Sequence, residues 1–176
     1  KLIQAKDAAP YYAGLVQAKL QPAGKGETIL LDTSMDSDNC GDDIIMENCM
    51  LQLSGIMETS GLGHVPTHRF PTGEEKSRLS GAEKKILCGT NILSGRMRHY
   101  GLWKLGADVS PYRNTILMGV GFDSGDPGYD SYTRRMMQTI LSSEGIHSVR
   151  DSFSEQKLKS MGIQNVLNTG CPTMWG

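Results

Sequence analysis

Thr28-Ile29-Leu30-Leu31-Asp32 is an apolar run closed by an acid, and a helical pattern over 42–54 follows it across a short polar loop. The run does not alternate between polar and apolar residues. It therefore reads as a strand buried on both faces, as in the middle of a parallel sheet. The loop over 33–41 is rich in Ser, Asp and Asn. Beyond it, Ile44, Ile45, Met46, Cys49, Met50, Leu51 and Leu53 give a mostly buried helix, with Gly55 placed to end it.

The same alternation continues downstream. A short strand is expected over 64–68, confined to a sheet edge or end by Pro66. A polar helix starts at Thr72-Gly73-Glu74-Glu75, and a strand covers 85–90. Residues 91–106 read as loop with some helix. Thr115-Ile116-Leu117-Met118-Gly119-Val120-Gly121-Phe122 reads as one buried strand, followed by turns over 123–128 and a helix over 129–142. A strand at 146–150 and a helix at 152–161 follow. Ser152 and Glu155 are spaced as a capping box. A last strand covers 165–169. Strands alternating with helices predict an α/β fold: a Rossmann-like, doubly wound parallel sheet with helices on both faces. The domain is expected over 28–176. Residues 1–27 form a peripheral lead-in, with a short helix after Pro10 broken by Pro22-Ala23-Gly24-Lys25-Gly26.

The bulk properties narrow the function. With 176 residues the chain can build one domain with a core, and 21% charged residues is ordinary for a globular protein. A net charge of −1 supplies no field for nucleic acid, so no nucleic-acid partner is expected. No apolar run is long enough for a membrane span. Cys40, Cys49, Cys88 and Cys171 include no C-x-x-C pair, so no metal site is expected and the thiols read as free, in a reducing cytoplasm. The chain starts at Lys1 without Met and ends just after an apparent strand, so it is expected to be cropped. A missing neighbour would leave an apolar patch around Met174 and Trp175, and with it a tendency to form a homo-oligomer.

Open parallel sheets bind ligands beyond the carboxyl ends of their strands, where strand order reverses. The loops there carry Asn39, Gly41 and Asp42, then Asn91, then Gly119 and Gly121, then Arg150 beside Asp151. Asn39 and Gly41 tolerate unusual backbone angles at a helix entry. Asp42 and Asp43 at the positive helix end suit a hydroxylated ligand better than a phosphate, but a cap by Asp42 and a turn stabilised by Asn39 explain these residues fully and are the preferred reading from the residues alone. Arg150 can grip a carboxylate or phosphate, or pair locally. Gly119-Val120-Gly121 lacks the third glycine of a dinucleotide fingerprint. His64 and His68 flank Pro66, which removes helical metal geometry. The basic stretch Arg96-Met97-Arg98-His99-Tyr100 reads as solvated loop, and His147 as a satisfied core residue.

Taken together and in order, four segments resemble the polysaccharide pyruvyl transferase family. Asp38-Asn39-Cys40-Gly41-Asp42-Asp43-Ile44-Ile45 resembles its N-x-G-D segment, and Cys88-Gly89-Thr90-Asn91 its strand-end glycine turn. Met118-Gly119-Val120-Gly121 is similar to its next strand. His147-Ser148-Val149-Arg150-Asp151-Ser152-Phe153-Ser154, with Leu158 and Met161-Gly162-Ile163, resembles its S-x-R-[DE] strand–helix unit. The likeness runs from about Thr28 to Cys171; the family's Asp-Pro-like segment is Cys171-Pro172 here.

The resemblance implies one half of a two-domain, GT-B-like architecture, with the carboxyl-terminal domain absent. It implies transfer of pyruvyl from phosphoenolpyruvate, with no other cofactor, onto a glycan or lipid-linked sugar in exopolysaccharide biosynthesis. Much of the donor machinery would lie in the second domain, so this piece alone is expected to be inactive. Residue by residue, Asn39, Gly41, Asp42, Asn91 and Arg150 carry over as substrate-binding positions, with no catalytic residue assigned. The alternative is a non-catalytic Rossmann-like module that binds a sugar or nucleotide.

Overall fold

The computed structural model describes residues 2–21, 24–99, 101–123, 125 and 128–175. Pro22 and Ala23 of the expected helix break, Tyr100 of the basic stretch and part of the turn cluster at 123–128 lie outside the described residues. The elements are α1 (Leu2–Leu20), β1 (Thr28–Asp32), α2 (Cys40–Ser54), β2 (Gly63–Pro66), α3 (Gly73–Gly81) and β3 (Lys84–Cys88). They continue with β4 (Thr115–Met118), α4 (Ser131–Ile140), β5 (His147–Val149), α5 (Ser152–Ser160) and β6 (Val166–Asn168).

β1 is buried on both faces. Ile29 and Leu31 enter one apolar core and Leu30 the other, each at 0% exposure. Leu87 and Leu117 extend the first core. Cys88 extends the second, with Ile86 and Met118 packed against it. Helix α2 covers that second face through Ile45, Met46, Cys49 and Leu53. On the opposite face, α3, α4 and α5 contribute Leu79, Met136 and Leu158. Each buried side chain of this size contributes ~1.5–3 kcal/mol of transfer free energy. Helices on both faces of parallel strands are the doubly wound arrangement.

Four strands form a parallel sheet in the order β2-β1-β3-β4. β2 is an edge strand ending at Pro66, where the missing N–H interrupts no ladder. β5 and β6 form a second parallel pair. It is stitched to the chain beyond β4: the Gly119 N–H donates to the Ser148 carbonyl at 3.0 Å, and the Arg150 N–H to the Val120 carbonyl at 3.1 Å. Strand order reverses at β1, so the crevice between β1 and β3 is the topological switch point.

The structure departs from the sequence reading in several places. The strand expected over 115–122 breaks at Gly119, whose φ is +66°. A Cβ there would overlap the Pro172 ring, so this left-handed turn needs glycine. Helix α1 begins at Leu2 and runs through Pro10. Docking explains this: Leu15 and Ala18 enter the core, while Tyr11 and Tyr12 meet Tyr132 edge-on at 5.6 and 5.7 Å. These contacts outweigh the single helical hydrogen bond that proline removes. Described residues within 91–106 form turns and one bridge, without helix. Finally, Asp151 rather than Ser152 caps α5, its Oδ1 accepting from the Ser154 N–H at 2.7 Å. Gly55 does cap α2, in a right-handed conformation. Of the terminal apolar pair, Met174 is exposed, while half-buried Trp175 donates to the Thr169 carbonyl at 2.7 Å.

Candidate functional site

The carboxyl end of β1 leads into the switch point through Asp32 and Thr33, both buried. The Thr33 hydroxyl donates to the Cys88 carbonyl at 3.0 Å and so clasps β1 to β3. Asp32 turns to the side instead. Its Oδ2 lies 2.6 Å from His64 Nδ1, and its Oδ1 accepts from the Ser34 N–H at 2.8 Å and the Ser34 hydroxyl at 2.7 Å. Burial pushes this carboxyl up, but the His64 and Ser34 hydrogen bonds outweigh it and hold the group below its ordinary range.

The loop then reaches α2. Asn39 is its N-cap, the side-chain oxygen accepting from the Gly41 N–H at 3.1 Å. Because Asn39 takes the cap, Asp42 does not, contrary to the capping role its position suggested. Its side chain is 5% exposed, and its Oδ2 accepts from the Ser37 hydroxyl at 2.6 Å. Oδ1 has no hydrogen-bond partner among the described residues.

His68 stands opposite, just past the end of β2. Its Nδ1 lies 3.2 Å from the Leu102 carbonyl, so Nδ1 carries the proton it donates there. Nε2 faces Asp42 Oδ2 at 3.7 Å and has no hydrogen-bond partner among the described residues. A buried polar atom without a partner costs ~1–3 kcal/mol, and Asp42 and His68 each carry one here.

Around this pair is a cleft of about 550 Å³, lined also by Asp36, Asp38, Thr90, Leu102 and Lys104. Lys104 is brought in by its backbone, whose N–H donates to the Thr67 carbonyl at 2.9 Å. Thr67 in turn donates its N–H to the Asp32 carbonyl at 3.1 Å. Thr90 sits at a φ of +58° directly after Gly89 at +54°, a sharp turn off β3. Asp36 is paired with Arg69 at 2.9 Å, and Arg69 reaches Glu75 at 2.7 Å.

The remaining sequence candidates meet further along the same edge. A Cβ on Gly121 would overlap Asn91 Oδ1 and Arg150 Cδ, so these side chains converge over that glycine. Gly121 is tied to the crevice by its N–H, which donates to the Thr90 carbonyl at 2.9 Å. Asn39, Gly41 and Asp42 thus stand at the α2 end of the crevice, and Asn91 with Arg150 at the β4–β5 end.

Ser37, His68 and Lys104 were not singled out by sequence as ligand-facing. For His68 a signal existed: it follows Pro66 at the carboxyl end of a strand. His147 is structural. It accepts from the Leu117 N–H at 3.2 Å on Nδ1 and lies 2.9 Å from the Ser142 carbonyl on Nε2. Among the described residues, no group of His, Cys, Asp and Glu is arranged to hold a metal ion, and no helix is long and apolar enough to cross a membrane.

A parallel sheet wound on both faces, with a polar cleft at its switch point, defines the class: a doubly wound α/β protein, an architecture whose ligand sites lie at the carboxyl edge of the strands. Residues 39–175 match the family model of polysaccharide pyruvyl transferases, and the chain belongs to that family. No curated protein and no solved structure matches it.

Proposed function

We propose that the protein transfers the pyruvyl group of phosphoenolpyruvate to two hydroxyls of one sugar in a cell-surface polysaccharide or its lipid-linked precursor. The observation that carries this reading is the family match over residues 39–175, which begins at Asn39 and so takes in the residues at both ends of the crevice. In the reaction, two acceptor oxygens bond to C2 of the enolpyruvate and the bond from C2 to the phosphate oxygen breaks. One hydroxyl proton ends on C3, turning methylene into methyl, and the other leaves with the phosphate. The product is a ketal, and no cofactor enters the balance.

The two ends of the crevice suit the two substrates. Arg150, which converges with Asn91 over Gly121, offers a guanidinium for the donor's carboxylate or phosphate. The acidic α2 end suits a neutral, hydroxylated acceptor. A second domain of a GT-B-like pair would close over this edge and supply further donor contacts. The reading places the chemistry in the cytoplasm, ahead of export of the glycan.

The test uses the protein as its gene encodes it, supplied with phosphoenolpyruvate and a panel of glycan acceptors. Phosphate release that depends on the acceptor, with a new methyl signal of the ketal in proton NMR, is the expected result. Glycan binding without phosphate release across a broad panel would sink the reading and leave a sugar-binding module.

A further inference from the structure

We infer that Asp42 and His68 together hold a pair of hydroxyls on one sugar, and that Ser37 sets the orientation of the Asp42 carboxylate for this. The choice of a diol rests on the pyruvyl-transfer reading, because a ketal needs two hydroxyls of one sugar. The geometry that receives it does not.

Asp42 lines the cleft with one oxygen committed and one not. The Ser37 hydroxyl holds Oδ2 at 2.6 Å, and Oδ1 is unpartnered among the described residues on a side chain only 5% exposed. His68 is fixed from behind by the Leu102 carbonyl, so in the neutral ring Nε2 presents a lone pair. The ring nitrogen and the carboxylate stand 3.7 Å apart at their nearest, too far to bond to each other. With the ring neutral, Nε2 and the Asp42 Oδ1 are two hydrogen-bond acceptors without partners among the described residues, on two residues that line the same cleft. A phosphate or carboxylate brings further acceptors and would meet three acids, Asp36, Asp38 and Asp42, against the one ammonium of Lys104 among the lining residues. Hydroxyls bring donors, and two on neighbouring or alternate ring carbons can satisfy both acceptors at once. The α2 amides do not compete for the ligand's oxygens at this point, since Asn39 already takes the Gly41 N–H through its side chain and the Asp42 N–H through its carbonyl at 2.9 Å.

The experiment measures binding of methyl glycopyranosides and their monodeoxy analogues to the full gene product, by saturation-transfer NMR and calorimetry. A glycoside with the right pair of hydroxyls binds, and removing either hydroxyl weakens it by about tenfold or more, the effect of one lost hydrogen bond to a buried or charged group. Asp42→Asn and His68→Gln each weaken the same glycoside by about 10- to 100-fold. Ser37→Ala, at a half-buried loop position that does not threaten folding, weakens it by a smaller factor and decides the matter if Asp42→Asn fails to fold.

Equal affinity in all three variants, equal binding of the deoxy analogues, or no glycoside binding at all would overturn the inference. Pair-dependent binding that the variants lose, in a protein that releases no phosphate from phosphoenolpyruvate, upholds the inference while the transferase reading falls. Phosphate release with an unchanged acceptor KM in all three variants does the reverse.

Discussion

Gly121 has no room for a side chain, because Asn91 and Arg150 close over its α-carbon. Gly121→Ala should therefore push both side chains out of the crevice. Its backbone does not require a positive φ, so the cost falls on the site more than on the fold. The expected outcome is a loss of transferase activity of about tenfold or more, on the scale of one or two lost polar contacts. The unfolding midpoint should drop by only a few degrees, an overpacking cost of ~1–3 kcal/mol at most. Activity unchanged in Gly121→Ala would show that this end of the crevice does not hold a substrate. At this scale the sequence was informative wherever chemistry is local. Asn39 beside Gly41 is a turn signature, and it does form the helix entry. Asp42 was legible as an acid at a helix end that either caps the helix or meets a ligand; the choice between the two was not, because it depends on which loop residue takes the cap, and Asn39 takes it. Lys104 carries no local signal. It reaches the cleft only because its backbone bonds to Thr67 across the sheet edge.

Elements were legible in proportion to how strongly burial dictates their residues. β1 and β3 are apolar on both faces, and both appear where the sequence puts them within a residue or two. Helix α1 was read short because Pro10 argues locally against it, while its docking onto Tyr132 is a long-range contact. That docking can be tested at Gly14. A helix-interior Gly→Ala change ordinarily stabilises by ~1 kcal/mol. Here a Cβ would overlap the Ala107 carbonyl, so the sign reverses. Gly14→Ala should lose ~1–3 kcal/mol in urea denaturation. A gain would mean that α1 does not dock in this way.

Helix α3 offers a second test at this scale. Glu75 caps its first turn by accepting from the Thr72 N–H at 2.7 Å, and it also receives two Arg69 bonds at 2.7 Å. The Arg69 hydrogen bonds, with those from Thr72, outweigh burial and hold its carboxyl down at about 2. A depressed carboxyl contributes stability at pH values above its ordinary 4.5, and the contribution is lost as pH falls toward 2. Glu75→Gln should flatten that acid limb of the unfolding curve. The same slope in wild type and variant would remove the pair from the account.

Over the whole molecule, a handful of buried titratable groups shape the dependence of stability on pH. Burial pushes His147 below its ordinary 6.5 and keeps it neutral. An unfolded chain takes up this proton at a higher pH than the folded one does, so stability falls as pH drops below 6.5. On the alkaline side, the neighbouring Cys49 thiol and burial push the Cys88 thiol up from 9.0, and burial pushes the Tyr112 and Tyr132 phenols up from 10.0. Those groups stay protonated in the fold after they would ionise in the unfolded chain, so stability falls again above about 9 to 10.

Lys85 works in the opposite direction. It lies at the amino end of β3, 3% exposed, donating to the Ala82 and Arg113 carbonyls at 2.9 Å each. Burial, with Arg113 nearby, lowers it from 10.5 to about 8. Its charged form is penalised by folding, and that penalty is relieved as pH rises from about 8 toward 10.5. Between 8 and 9 only Lys85 among these groups changes the balance. The unfolding midpoint in urea should therefore climb through pH 6.5, level off, rise a second time between 8 and 9, and decline beyond 10. Lys85→Met should abolish the second rise and leave the acid limb in place, while His147→Gln should do the reverse. A wild-type curve that is flat from 7 to 9 would mean that the ammonium is not desolvated at the foot of the sheet.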